Sequence, residues 1–337
     1  MDKKTIKINY IDFWPDLDKE NFYFTQVLRR HFNVEFSDDP DYLFCSCFGN
    51  NHFKYMNAVK ILFLGENIVP DFNIYDYAMG FHFIDFEDRY LRYPLYALYD
   101  KAIDLALNKH TFSEEYYLSK KGFCNYVISN PNAAGERSWM AEKLAAYKQV
   151  DSGGRYRNNV GGPVKDKLAF SKNYRFTMAF ENSKMSGYTT EKIFEAFAAD
   201  TIPIYWGSPR VTEEFNPKAF VDCNQFATLD EAVERVKEIN ENDELFLEMI
   251  KAPIITDNCL AKQYLSEDYL DSFFINIFSQ DRENAIRRNM VYIGRDYQHK
   301  MALNKKHEAR LDIIKKPMHL MNKKKAQLKS RLAAKKR

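Results

Sequence analysis

Apolar and polar positions change period along the chain, and each change predicts an element. Alternation over 6–10 predicts a strand and residues 20–31 a helix, while the nearly continuous apolar runs at 42–48 (YLFCSCF) and 60–64 (KILFL) predict buried strands. Residues 98–121 read as helical and polar, leading out of a first unit. A second unit opens near 122 with the strand-like GFCNYVIS, a turn at Asn130-Pro131-Asn132 and a helix over about 136–149. YRFTMAF then alternates like a strand, and residues 180–209 follow as a polar loop, a helix and an apolar strand ending in Gly-Ser-Pro. Thr189 is the expected helix cap, with Glu191 and Lys192 in the first turn and Ile193, Phe194 and Phe197 facing the core. Residues 229–250 read as one helix on Ala232, Val233, Val236 and Ile239, and residues 262–290 as a helical segment able to pack back across both units. Strands alternating with helices imply an α/β chain of doubly wound domains.

Length and composition are compatible with this picture. A chain of 337 residues suggests about two domains of ~150 residues, and 45% hydrophobic residues can fill both cores. No run approaches the ~18 apolar residues of a membrane span, and the basic, then alternating start does not read as a secretory signal. Five cysteines, Cys45, Cys47, Cys124, Cys223 and Cys259, lack a zinc-type spacing and are expected to be reduced structural thiols in a cytoplasmic protein. The net charge of +2 conceals an asymmetry: residues 300–337 carry fourteen Lys or Arg against Glu308 and Asp312, so residues 1–299 are net −10. An acidic body argues against nucleic acid as its partner.

Candidate chemistry gathers where the loop meets the helix, at Glu181, Asn182, Tyr188, Glu191 and Lys192. Unpaired N–H groups and the positive dipole end make a helix start a natural anion site, and a lysine there is best explained by a bound pyrophosphate or by a solvated Glu-Lys pair. Gly65-Glu66-Asn67 follows a strand, so Glu66 projects at the sheet rim as either a general base or a solvated loop acid. The aromatic and acidic segment 71–96, which includes Tyr77, reads as an acceptor cleft or as ordinary packing. The segment 151–162, with its glycines, Arg155 and Arg157, reads as a phosphate clamp or as a surface loop. Asn130 and Glu181 are further candidate contacts. Asp16-Leu17-Asp18 and Asp39-Pro40-Asp41 match a metal-holding Asp-x-Asp pattern, but such short matches arise by chance, and no metal site is expected.

The stretch FENSKMSGYTTEKIFEAFAADTIPIYWGSPRVTEEFNPKAFV resembles the donor-binding signature of α1,3/4-fucosyltransferases. The resemblance extends through SNPNA, the Gly-Gly-x-x-Arg-Asn segment, LGEN, FNIYDYAMGF and FEDRYLRYPLY, covering roughly residues 40–290. It implies a GT-B fold: an acceptor-binding Rossmann-like domain over 1–120 and a GDP-L-fucose-binding one over 121–275, facing a cleft. Helices near 275–300 would return to the first domain. It implies an inverting transfer without metal or other cofactor, GDP-fucose being a co-substrate. Glu66 falls on the family's general base, Arg157 and Lys192 on its phosphate ligands, Asn182 and Tyr188 on nucleotide contacts, and Glu191 on the acid near the fucose ring. Arg155 does not fall on the family's arginine. Lys184-Met185-Ser186 replaces a glycine-rich version of the loop at the same spacing.

The expected partners are therefore GDP-fucose and a glycan acceptor, such as a lipopolysaccharide-like glycan. Another nucleotide-sugar, a non-catalytic glycan-binding role and a nucleic-acid-binding role are the alternatives. In the basic tail, Leu311, Ile314, Met318, Met321, Leu328 and Leu332 recur at helical steps, interrupted by Pro317 and Lys325. This predicts an amphipathic segment on an anionic membrane surface, placing the protein at the inner face of the cell membrane. A disordered or nucleic-acid-contacting tail, or a homodimer helix, are the other readings of the same segment.

Overall fold

The computed structural model describes residues 3–108, 112–130 and 132–311. Six strands form the first sheet: β1 (Thr5–Ile11), β2 (Asn33–Phe36), β3 (Tyr42–Ser46), β4 (Val59–Phe63), β5 (Tyr77–Gly80) and β6 (Tyr90–Arg92). Their order is β2-β1-β3-β4-β5-β6, with every pair parallel. Every residue of β3 and β4 is buried, which is why these strands read as nearly continuous apolar runs, broken by Ser46 and Lys60, rather than alternating ones. Helix Tyr23–His31 covers one face through Phe24, Val27 and Leu28.

The second sheet contains β7 (Gly122–Tyr126), β8 (Val150–Ser152), β9 (Tyr174–Phe180), β10 (Ile202–Trp206) and β11 (Val221–Asp222), ordered β11-β10-β9-β7-β8 and again parallel. Strand order reverses between β1 and β3 in the first sheet and between β7 and β9 in the second. In open parallel sheets, ligands bind beyond the C-terminal ends of the strands at such reversals.

Several expected elements differ in detail. The expected helix 229–250 is two, Leu229–Glu241 and Asp243–Lys251, because Asn242 ends the first and caps the second by accepting from the Leu245 N–H. The segment 262–290 is three short helices, Leu260–Tyr264, Glu267–Ser279 and Arg282–Ala285. The return to the first domain already begins at Glu267–Ser279. Phe274 packs on Phe24 and Phe44, Phe278 on Tyr42, and Phe273 on Tyr77. The buried Arg288–Asp76 pair fastens the chain further along, with the Arg288 guanidinium also donating to the carbonyls of Met56 and Ala58.

Segment 71–96 is mainly packing material: Ile74, Tyr75, Tyr77, Phe81, Tyr90, Tyr93 and Tyr96 are buried. All five cysteines are unpaired, and no helix among the described residues is long and apolar enough to cross a membrane. A helix spans 293–311; the amphipathic pattern expected beyond Leu311 lies outside the described residues, as does Pro131 of the expected turn.

Candidate functional site

The loop from β9 to helix Lys192–Ala198 is built around a buried carboxylate. Glu181 has no exposed surface; it accepts from the Thr190 N–H at 2.7 Å, from the Thr190 hydroxyl and from Lys192 Nζ at 2.9 Å. The anion seat expected at this helix start is thus partly occupied by the chain's own Glu181. The helix has only seven residues, so its dipole is small, and Lys192 carries the positive charge. Burial alone would depress the Lys192 ammonium, but the Glu181 and Glu191 carboxylates outweigh it and hold the pKa above the ordinary lysine range. Glu181, a candidate ligand contact by sequence, instead aims Lys192. Thr189 does not cap the helix either: Glu191 is at the N-cap, and the Thr189 hydroxyl donates to Glu214 Oε1 at 2.8 Å.

Glu214 is a buried node between the domains. Arg92 Nη2 donates to its Oε1 and the Tyr96 hydroxyl to its Oε2, both at 2.8 Å. Arg92 also reaches Phe81 O at 2.9 Å and Gly187 O at 3.0 Å, so the strut from β6 holds the loop that follows β9 directly. Gly187 has φ +89°, and a Cβ there would lie 2.2 Å from Phe81 O, so no other residue fits without displacement.

The loop after β4 meets the loop after β9. Asn67 Nδ2 donates to Ser183 Oγ at 2.6 Å across the domain boundary. Glu66 is exposed beside this contact, close enough for its charge to help raise the buried Tyr188 phenol, after burial itself and Glu181. Tyr188 is packed edge-to-face on Phe81 at 4.8 Å. Glu191 keeps Oε1 3.9 Å from Lys192 Nζ, while its Oε2 is buried without a partner. The fold therefore brings together Glu66, Tyr188, Glu191 and Lys192 from segments more than a hundred residues apart.

The other candidates are placed differently. Asn182 Oδ1 accepts from Arg137 Nη2 at 2.7 Å, and Arg137, a residue sequence reasoning missed, is buried in the first turn of helix Gly135–Tyr147. Asn130 is exposed in a turn, its Oδ1 accepting from the Asn132 N–H. Arg157 has φ +50° and pairs on the surface with Glu142 at 2.6 Å; Arg155 is also exposed. Tyr77 is fully buried against Phe273, so it has no surface for a ligand.

A cavity of about 680 Å³ opens at the ends of β7 and β9. Val127, Ile128, Met178 and Phe180 form its floor, and Leu98, Ala102 and Leu105 of the crossing segment close it. Lys192 lines it together with Lys165 and Lys167, cations that no local motif had marked. Asp166 and Glu195 line it too, and Lys167 pairs with Glu195 at 3.2 Å, so the cations stand among acids over an apolar floor, a mixture that suits a ligand with both a ring and charged groups. Among the described residues, no group of three His, Cys, Asp or Glu side chains is arranged to hold a metal. Asp18 instead caps the Glu20 and Asn21 N–H groups, and Asp41 pairs with Arg282 at 3.2 Å.

Residues 8–99 match the alpha-(1,3)-fucosyltransferase FucT N-terminal domain, and residues 117–251 the C-terminal domain of glycosyltransferase family 10 (fucosyltransferase). The chain is 35% identical over 320 residues to the alpha-(1,3)-fucosyltransferase FucT of Helicobacter pylori, covering 82% of this chain and 66% of that protein. It is 26% identical over 196 residues to alpha-(1,3)-fucosyltransferase B of Drosophila melanogaster, spanning 43% of the latter. A crystal structure of an alpha1,3-fucosyltransferase with GDP-fucose superposes with a TM-score of 0.72 at 31% identity, over 86% of this chain and 94% of that one.

Proposed function

The chain belongs to the family 10 glycosyltransferases, the fucosyltransferases, and from that premise we propose that it is an inverting α1,3-fucosyltransferase. L-Fucose would pass from GDP-L-fucose to a hydroxyl of a GlcNAc- or glucose-containing glycan, of LacNAc or lipopolysaccharide type. The observation carrying this reading is the Asn67–Ser183 contact, which sets exposed Glu66 against the loop that leads into Lys192.

Inversion needs one base to take the acceptor's proton as its oxygen attacks the anomeric carbon from the face opposite the leaving diphosphate. Glu66 is that base in this reading. Negative charge growing on the diphosphate is met by the Lys192 ammonium, whose pKa the Glu181 and Glu191 carboxylates raise. Arg157 would join it by leaving Glu142, a surface pair whose exchange costs little. The unpartnered Glu191 Oε2 supplies negative charge near the sugar ring as it becomes oxocarbenium-like. Two cations and no metal suffice for this scheme. The place of work is the inner face of a membrane, reached through the basic residues 311–337.

The test is GDP release from GDP-fucose, compared with GDP-mannose and UDP-galactose, in wild type and Glu66→Gln. The variant is expected to bind GDP-fucose normally and to lose at least about 100-fold in transfer. Near-normal transfer by Glu66→Gln would remove Glu66 as base, and equal use of the other donors would remove the fucosyl assignment.

A further inference from the structure

The first sheet reverses its strand order between β1 and β3, and the loops leaving those two strands have an unusual construction. The Asp12 side chain, just after β1, is fully buried and its backbone is held at φ +62°. Its Oδ2 accepts from the His52 N–H at 2.9 Å and contacts His52 Nδ1 at 2.8 Å; its Oδ1 accepts from the Asn51 N–H at 2.9 Å and from Asn51 Nδ2 at 3.0 Å. The Tyr75 hydroxyl completes the chain at 3.2 Å from His52 Nε2. A left-handed non-glycine backbone and a buried carboxylate both cost stability, so surrounding structure must enforce them.

The segment this network fixes, between β3 and Asn51, displays Phe48. The Phe48 N–H donates to Asp12 O at 3.1 Å, while half of the residue's surface (50%) stays open to solvent. Its ring lies 3.4 Å from where a Cβ on Gly65 would be, directly beside Glu66. An exposed phenyl ring thus stands at a strand-order reversal on a backbone tied to Asp12, next to the acid that deprotonates the acceptor in the reading above.

We propose that Phe48 is the stacking platform for a sugar ring of the glycan acceptor, held beside Glu66 by the Asp12–His52–Tyr75 chain. A pyranose presents a face of C–H groups, and the electron-rich face of an aromatic ring attracts them while excluding water. Phenylalanine has no polar atom, so it selects by the sugar's face rather than by hydrogen bonds. A ring seated there leaves its hydroxyl edge turned toward Glu66. The inference rests on the fucosyltransferase reading and adds where the acceptor is gripped.

The experiment is steady-state kinetics with N-acetyllactosamine and GDP-fucose for Phe48→Ala, Phe48→Leu and Phe48→Trp. Phe48→Ala is expected to raise the acceptor KM about five- to tenfold. Donor KM and acceptor-independent hydrolysis of GDP-fucose should stay within about twofold of wild type. Phe48→Leu, which keeps apolar area without a π face, should behave as Phe48→Ala, and Phe48→Trp should stay near wild type. An unchanged acceptor KM in Phe48→Ala, full function in Phe48→Leu, or a donor KM rising in step with the acceptor KM would each overturn the platform. Failure of the wild type to release GDP from GDP-fucose would instead overturn the underlying reading.

Discussion

Removing Glu214 tests how the two domains are joined under the loop that follows β9. Its carboxylate is 0% exposed and Arg92 only 6%, so neither charge has water to fall back on. Burial alone would depress the Arg92 guanidinium, but Glu214 outweighs it and holds it above its ordinary range. Truncating one partner of such a pair costs about 3–5 kcal/mol, because the other charge stays buried and uncompensated. At this size, about 2 °C of melting temperature per kcal/mol makes Glu214→Ala about 6–10 °C less stable. Replacing both partners, as Arg92→Met with Glu214→Leu, leaves no lone buried charge, so its loss should fall short of the sum of the two single losses by at least ~2 kcal/mol, although Phe81 O, Gly187 O and the Tyr96 and Thr189 hydroxyls lose their partners. The assay is thermal unfolding of wild type, Arg92→Met, Glu214→Leu and the double variant, with Glu214→Ala alongside, followed by circular dichroism together with the KM for GDP-fucose. Since Arg92 and Glu214 also hold Gly187 and Thr189, the donor KM should rise in both single variants. A melting temperature within about 2 °C of wild type for Glu214→Ala, or strictly additive losses, would refute the strut.

Two other perturbations follow from named groups. His82 is buried with both ring nitrogens unpartnered, and burial, then Arg92, hold its pKa below the ordinary histidine range. The unfolded chain takes up this proton near pH ~6.5 and the folded chain only at lower pH, so stability is intact above that value and falls as pH drops through it; His82→Gln should flatten the decline in melting temperature from neutral to mildly acidic pH. Lys192→Met removes the ammonium that Glu181 aims at the cavity. It should raise the KM for GDP-fucose about 10- to 100-fold in a GDP-release assay, and an unchanged KM would exclude Lys192 from donor binding.

The sheets were legible because β3 and β4 are buried on both faces and carry that burial as nearly continuous apolar runs. The helix around Ile193, Phe194 and Phe197 was legible from its spacing, and all three are buried. Its start was misread because a local rule nominated Thr189 as cap, while the tertiary partner Glu214, twenty-five residues on, takes that hydroxyl. Pairs such as Arg92–Glu214, Asn67–Ser183 and Arg137–Asn182 have no sequence signature, since each joins residues from different elements by geometry alone. Glu66 and Lys192 could be named from the motifs around them, yet only the fold puts their loops in contact. Arg157 was equally visible, and the structure leaves it on the surface with Glu142.

The returning helix Glu267–Ser279 also sets an order of events during synthesis. Phe24, Phe44, Tyr42 and Tyr77 all belong to the first eighty residues, but their aromatic partners Phe273, Phe274 and Phe278 are made some two hundred residues later. Domains generally fold as they emerge, N-terminal first. Here the domain that is made first is completed last. Its apolar face waits, exposed, until the second domain has been translated, so a chain stalled near residue 251 would carry the whole second sheet joined to a first domain with an uncovered core.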